Sequence, residues 1–350
     1  MRERCVRKSI SEICDKASSN IAQNKIADID GDYPVYGASG YIQNVDFYHR
    51  DTEYIGIVKD GSGVGRVNVY PAYSSLLGTM QYIIPKEGYL LGYVAYALKG
   101  LNLSSFASGA AIPHIYFKDY GKCKIDIPPL SEQQRIVSEL DLLSSIIEKK
   151  KEQLKEYDQL AQSIFFDMFG DPVANEKGWE VKKLGECCKN CDSQRKPITA
   201  KNRIKGFIPY YGASGIVDYV KDFIFDGEYL LVSEDGANLL MRSTPIAFRI
   251  KGKTWVNNHA HVLQFDAVFK QIFVEYSINL RDISSIVTGC AQPKLTQAAM
   301  NNLNITYPPL SLQQSFAEKI EAIERQKALI QQSITETETL FNSRMDYYFN

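Results

Sequence analysis

Residues 128–136 read Pro-Pro-Leu-Ser-Glu-Gln-Gln-Arg-Ile, and residues 308–316 read Pro-Pro-Leu-Ser-Leu-Gln-Gln-Ser-Phe. Each opens a long run with an apolar residue at every third or fourth position. The first run steps through Ile136, Leu140, Leu143, Ile147, Lys150, Leu154, Tyr157, Ala161, Ile164 and Met168, and only Lys150 breaks its seam. The second, weaker run steps through Phe316, Ile320, Ile323, Lys327, Ile330, Ile334, Thr337, Phe341, Arg344 and Tyr348. An apolar period of 3.5 residues held over about five heptads is a coiled-coil pattern, narrower than the stripe of an ordinary surface helix. Ser131 with Gln134, and Ser311 with Gln314, read as capping boxes that start the two helices. Gly170, followed by Asp171-Pro172, stops the first one. At 1.5 Å per residue, a helix of about 38 residues is roughly 57 Å long. One helix cannot bury so narrow a seam alone, whereas two in one chain bury each other's. The predicted pairing residues are Ile136, Leu140, Leu143, Ile147, Leu154 and Ile164 on one helix, with Ile320, Ile323, Ile330, Ile334 and Phe341 on the other. Pairing between two chains is the alternative reading.

Outward from these helices the chain proves to be written twice. Tyr36-Gly37-Ala38-Ser39-Gly40 recurs as Tyr211-Gly212-Ala213-Ser214-Gly215. Glu53-Tyr54, an apolar run and Asp60-Gly61 recur as Glu228-Tyr229, an apolar run and Asp235-Gly236. Gly109-x-Ala111-x-Pro113 recurs as Gly289-x-Ala291-x-Pro293. The shift is 175 residues from Tyr36 to Tyr211 and 180 from Pro128 to Pro308, so the second copy carries a small net insertion. Short β-rich segments such as Glu53 to Val58, Tyr229 to Val232 and Ala247 to Ile250 are bounded by turn residues. The expected fold is α+β: mixed α/β domains at 1–127 and 171–307, followed by long helices at 128–170 and 308–350, with the helices pairing as an antiparallel coiled coil.

Composition bounds what such a chain can do. With 350 residues, 45% apolar and 23% charged, two ordinary globular cores are affordable. No stretch approaches the roughly 18 uncharged apolar residues of a membrane span. Met1-Arg2-Glu3-Arg4 leads into no apolar segment, so a cytoplasmic location is expected. Seven cysteines, an odd number, argue against a disulfide framework. Cys187, Cys188 and Cys191 resemble half of a zinc site but have no second ligand pair at the right spacing, so inert thiols are expected and no metal. The formal net charge is −1. A protein that grips nucleic acid unaided carries a clear basic excess, so any DNA contact here must be local or shared with partners.

Catalytic patterns are imitated rather than present. Asp60-Gly61-Ser62-Gly63-Val64-Gly65 follows an apolar strand, but Arg66 stands where a nucleotide-binding loop needs glycine. Gly252-Lys253-Thr254 ends like a phosphate loop, but its leading position is Ala247. Ile127-Pro128-Pro129-Leu130 lacks the polar residue and the aromatic of a methyltransferase tetrapeptide, and helix initiation accounts for its prolines. His259 and His261 share one stretch without an evident third ligand. No catalytic residue and no cofactor are expected.

The pattern resembles the specificity subunits of Type I restriction–modification enzymes. The residues that carry the likeness are Trp179-Glu180-Val181, Arg195-Lys196-Pro197-Ile198, the Tyr-Gly-Ala-Ser-Gly pair, Glu228 to Ala237, Asn257 to His261, the Gly-x-Ala-x-Pro segments and the Pro-Leu-Ser-x-Gln-Gln helix starts. The likeness spans the chain, and the first half, which lacks the opening tryptophan, is the poorer match. It implies two target recognition domains, each reading half of a split site in double-stranded DNA, with the helices fixing the unspecified spacer. It further implies two methyltransferase subunits that dock on the helices and methylate adenine, and restriction subunits that translocate and cut DNA. The rival readings are a protein scaffold that does not bind DNA and a stand-alone DNA-modifying enzyme. Local charge nominates the contacts. Lys189, Arg195, Lys196, Lys201, Arg203 and Lys205 form the densest basic run, against the single acid Asp192. Arg66 and Asn68 in the first half, and Asn238 and Arg242 in the second, follow the Asp-Gly turns and carry side chains suited to base edges, and Lys59, just before the first turn, is a further candidate.

Overall fold

The computed structural model describes residues 5–109, 112–289 and 291–350; Met1 to Arg4 and Ala111, named above, and Cys290, one of the seven cysteines, lie outside the described residues. The chain divides into two compact units, one of Met1–Lys151 with Gln332–Asn350, the other of Glu152–Gln331.

In the first unit, Cys14–Ser18, Met80–Pro85, Tyr54–Val58 and Val67–Tyr70 form an antiparallel sheet in that order. The central strand Tyr-Ile-Gly-Ile-Val is buried at every position, as a continuous apolar run in a sheet covered on both faces must be. A smaller sheet holds Gly40–Val45, Tyr33–Gly37 and Ser75–Leu76, the last pair running parallel. In the second unit the corresponding strands merge into one six-stranded sheet, because Ala247–Val256 runs unbroken where the first unit has Val67–Tyr70 and then Ser75–Leu76. The break has a local cause. Pro71 follows Tyr70, removes a ladder donor, and is followed by Tyr73 at φ 56°.

The same alignment locates the insertion. Ile57 pairs Val67 across the turn in one copy and Val232 pairs Ala247 in the other, so the five extra residues lie in the loop beyond the Asp-Gly turn. The helix Asn238–Met241 occupies that loop.

The long helices run Leu130–Phe169 and Leu310–Phe349. The capping boxes expected at Ser131 and Ser311 do not form, because each helix begins one residue earlier. Pro129 O accepts from Glu132 N and Gln133 N at 2.9 and 3.0 Å, and Pro309 O from Leu312 N and Gln313 N at 3.0 and 3.2 Å. The proline preceding the first turn presets φ for entry, which leaves the serines inside that turn. The other glutamine of each pair reaches back: Gln133 Nε2 donates to Pro128 O and Gln313 Nε2 to Pro308 O. Gly170 ends the first helix as expected, at φ 76° with its N–H on Phe166 O.

Within each unit the helix segments pack antiparallel. In the first, Ile136 and Leu140 share a core with Phe341, Met345 and Tyr348, and Arg135 bonds Tyr348 while Lys150 bonds Ser333. The seam-breaking Lys150 is therefore half-buried with hydroxyl partners at Ser333 and Thr337. In the second, Ala161, Phe165 and Phe169 pack with Phe316, Ile320 and Ile323. Of the predicted pairing residues, Ile136, Leu140, Ile320, Ile323 and Ile334 are buried, and Leu143, Ile147, Leu154, Ile164, Ile330 and Phe341 are half-buried. Phe165 and Phe169 were not on that list; their rings pack on Phe273, so this helix face also meets the globular part of its unit.

Candidate nucleic-acid interface

In each unit the repeated motifs, far apart in sequence, meet in one cluster of loops. In the second unit, Ser233 Oγ donates to Ala213 O at 2.5 Å, tying a central strand to the Tyr-Gly-Ala-Ser-Gly turn. Asn257 N donates to Tyr211 O, Glu234 N to His259 O and Gly236 N to Pro293 O, at 3.0, 2.9 and 3.0 Å. In the first unit, Leu77 N donates to Tyr36 O, Lys59 N to Thr79 O and Gly61 N to Pro113 O, at 2.8, 3.0 and 2.9 Å. Ser39, Asp60, Ser62, Arg66 and Thr79 line an open hollow there. Loops held this firmly by backbone bonds present their remaining side chains on a rigid base.

Beneath the second cluster lies a network of charges. His261, fully buried, sets Nδ1 2.6 Å from Asp192 Oδ2 and Nε2 2.9 Å from Leu295 O. Asp192 Oδ1 accepts from Val262 N at 2.8 Å. Arg195 reaches Glu234 Oε2 at 2.5 Å, Ala260 O at 2.8 Å and Asp192 Oδ2 at 3.4 Å, and Lys294 reaches Glu234 Oε1 at 3.2 Å. Burial alone would raise both carboxyls, but His261 and Arg195 outweigh it and hold Asp192 below its usual range. Arg195, His261 and Lys294 do the same for Glu234. Asp192, Glu234 and His261 have ligand atoms within 4.8 Å of one another, the spacing of a metal site. Cations of the chain already face both carboxylates and both imidazole nitrogens are engaged, so the chemistry of this donor set is that of an internal ion network. The first unit does not repeat it. Gln81 holds the position of His261, each pairing with the same central strand, and accepts from the Tyr120 hydroxyl. Asp60 there pairs with His114.

The nominated DNA contacts separate accordingly. Lys189, Lys196, Lys201 and Lys205 are exposed and make no ion pair among the described residues. Arg195 is drawn into the network, and Arg203 pairs with Asp218 and stacks over the Tyr210 ring at 4.5 Å. Arg66 is exposed and folds over its own loop, with weak bonds to Ser62 O and Gly63 O, while Asn68 is exposed on its strand and Lys59 is half-buried. Asn238 spends its amide on Thr244 O and N and on the Ser243 hydroxyl, closing the inserted loop. Arg242 donates to Arg281 O, and burial lowers its pKa. Those two side chains shape the loop. Cys187, Cys188 and Cys191 donate to Lys183 O, Leu184 O and Lys189 O, and His259 bonds Asp235 rather than joining His261. Sequence reasoning missed the Asp192–His261–Glu234 network, whose one available signal was acids embedded in otherwise basic or apolar repeated motifs.

Residues 3–156 and 176–339 match the family described as the Type I restriction modification DNA specificity domain. The chain belongs to this family. A type I restriction enzyme specificity subunit of Haemophilus influenzae is 33% identical over 144 residues, which is 41% of this chain and 37% of that protein. The MjaIX specificity subunit of Methanocaldococcus jannaschii is 24% identical, over 69% of this chain and 64% of that one. A type I specificity subunit of Mycoplasma pneumoniae is 26% identical, over 65% of this chain and 93% of its own length. The crystal structure of the S subunit from M. genitalium shares the fold at a TM-score of 0.64 and 14% identity, covering 99% of this chain and 96% of that one. Each specificity-family segment of the present chain takes in one loop cluster and part of a long helix. Among the described residues, no helix is long and apolar enough to cross a membrane.

Proposed function

We propose that the chain is the non-catalytic, cytoplasmic DNA-reading subunit of a Type I restriction–modification complex. Domains at 1–127 and 171–307 each read one half of a split double-stranded site, and the helices at 128–170 and 308–350 set the unspecified spacer. Two methyltransferase subunits dock on those helices and methylate within the site, and restriction subunits join the same assembly.

The observation that carries this reading is the pair of loop clusters. Both are built from the same motifs on the same backbone bonds, yet they differ most in the loop beyond the Asp-Gly turn. A protein that reads two different half-sites needs a common frame and divergent tips. Four unpaired lysines between residues 189 and 205 supply phosphate contacts beside the second cluster, and Arg66 and Asn68 stand exposed beside the first. With a net charge of −1, most of the grip on DNA comes from the assembled complex.

The test is to co-express the chain with its methyltransferase subunit and map methylated bases by long-read sequencing. A split motif is expected, and exchange of residues 171–307 for the matching domain of a relative should alter one half of it. Methylation without sequence preference, or both halves altered by that exchange, would overturn the reading.

A further inference from the structure

The hairpin Lys205–Gly212 with Gly215–Val220 carries an irregularity at its open end. Lys205 and Ile208 both pair with Val220, so Gly206 and Phe207 bulge out of the ladder. A Cβ on Gly206 would lie 2.4 Å from Val220 O, so glycine is required for this bulge. Its product is an aromatic ring held in water: Phe207 is 96% exposed. Ile204, Tyr219 and Phe223 are exposed around the same hairpin end, and so are Lys201, Lys205 and Lys221. The basic run leads directly from the loop cluster at Arg195 to this bulge.

The other copy keeps the tight glycine approach at the start of this hairpin, with the opposite chemistry around it. Tyr33 pairs with Val45 as Ile208 pairs with Val220, and Gly31 is equally closed to a Cβ, with Val45 O at 2.1 Å. Its flanking residues are Asp30 and Asp32 in place of Lys205 and Phe207. Duplication thus kept the backbone device, while one copy became apolar and cationic and the other anionic. A ring as fully exposed as Phe207, set among lysines, suits a polyanion with stackable faces. Two carboxylates at the equivalent place repel one.

We infer that Phe207 is a wedge that enters the DNA base stack beside the half-site read by the second domain, with Lys201, Lys205 and Lys221 on the flanking phosphates, and that the first domain has no counterpart. Apolar side chains used in this way part a base step and kink the duplex. The inference rests on the proposed DNA-reading function and adds an unequal treatment of the two half-sites.

The experiment uses the chain assembled with its methyltransferase subunits and duplexes carrying 2-aminopurine at each position in turn across both half-sites and their flanks. Two signals are expected: one at each adenine extruded for methylation, and one at a single step beside one half-site. Phe207→Ala should abolish only the second signal and weaken binding about tenfold, the scale of one lost aromatic–base stack. Phe207→Trp should retain the signal, and the methylated motif should stay the same in both variants. No bright step beyond the methylated adenines overturns the wedge. So does a Phe207→Ala variant that keeps every DNA signal but loses its methyltransferase subunit, which makes the patch a protein contact. Absence of any sequence preference in the wild-type complex defeats the DNA-reading function itself, a failure distinct from either of these.

Discussion

Replacing Arg195 with alanine separates a structural cation from a DNA-binding one. The guanidinium, 13% exposed, is shared between Glu234 at 2.5 Å and Asp192 at 3.4 Å and also donates to Ala260 O. Its removal leaves Asp192, 5% exposed, and Glu234, 13% exposed, with His261 and Lys294 as their remaining side-chain partners. Breaking a buried pair from one side costs about 3–5 kcal/mol, and the residual exposure here favours the lower figure. For a unit of this size each kcal/mol moves Tm by about 2–4 °C, so a fall of about 10 °C is expected by calorimetry. The pH dependence gives an independent check. Both carboxyls are held below their usual values of 3.8 and 4.5, so the network's contribution is present above those values and is lost as pH falls through the depressed ones. Arg195→Ala should therefore move the acid unfolding limb to higher pH, and Arg195→Lys should recover part of the loss. If Arg195→Ala melts within 2 °C of wild type and instead weakens DNA binding evenly, the assignment to the network is wrong.

Lys201→Ala should leave the melting temperature unchanged, weaken binding of the complex to all sequences alike and reduce the slope of log K against log salt by about 1; a changed methylation motif would contradict it. Glu275, wedged against Arg249 with Glu324 nearby, has its carboxyl pushed up to about 7, chiefly by burial. A raised carboxyl contributes stability fully present below 4.5 and lost as pH rises through 7, so Glu275→Gln should flatten that slope, worth at most about 3 kcal/mol, in denaturant titrations from pH 5 to 8. Matched seven-residue insertions after Glu152 and after Gln331 keep the heptad in register and should lengthen the methylated motif's spacer with both halves unchanged. Four-residue insertions at the same places should abolish assembly, as read by size-exclusion chromatography.

The sequence by itself determined the duplication, the two long helices and most of their apolar seam. These are periodic or repeated signals, and a period of 3.5 residues can be read without knowing what the seam packs against. It also determined that the Tyr-Gly-Ala-Ser-Gly, Asp-Gly and Gly-x-Ala-x-Pro segments matter together, though not that they touch. Tertiary structure alone decided the helix starts, where a backbone acceptor at Pro129 won over the serine cap, and the splitting of one sheet at Pro71. It alone decided which basic residues remain available to a ligand. Arg195 and Lys196 are neighbours in sequence with the same formal charge, yet one guanidinium lies between a buried and a half-buried carboxylate and the other residue is exposed to water. Charge belongs to a residue, but its availability depends on groups 39 and 65 positions away that only the folded chain brings within hydrogen-bond reach.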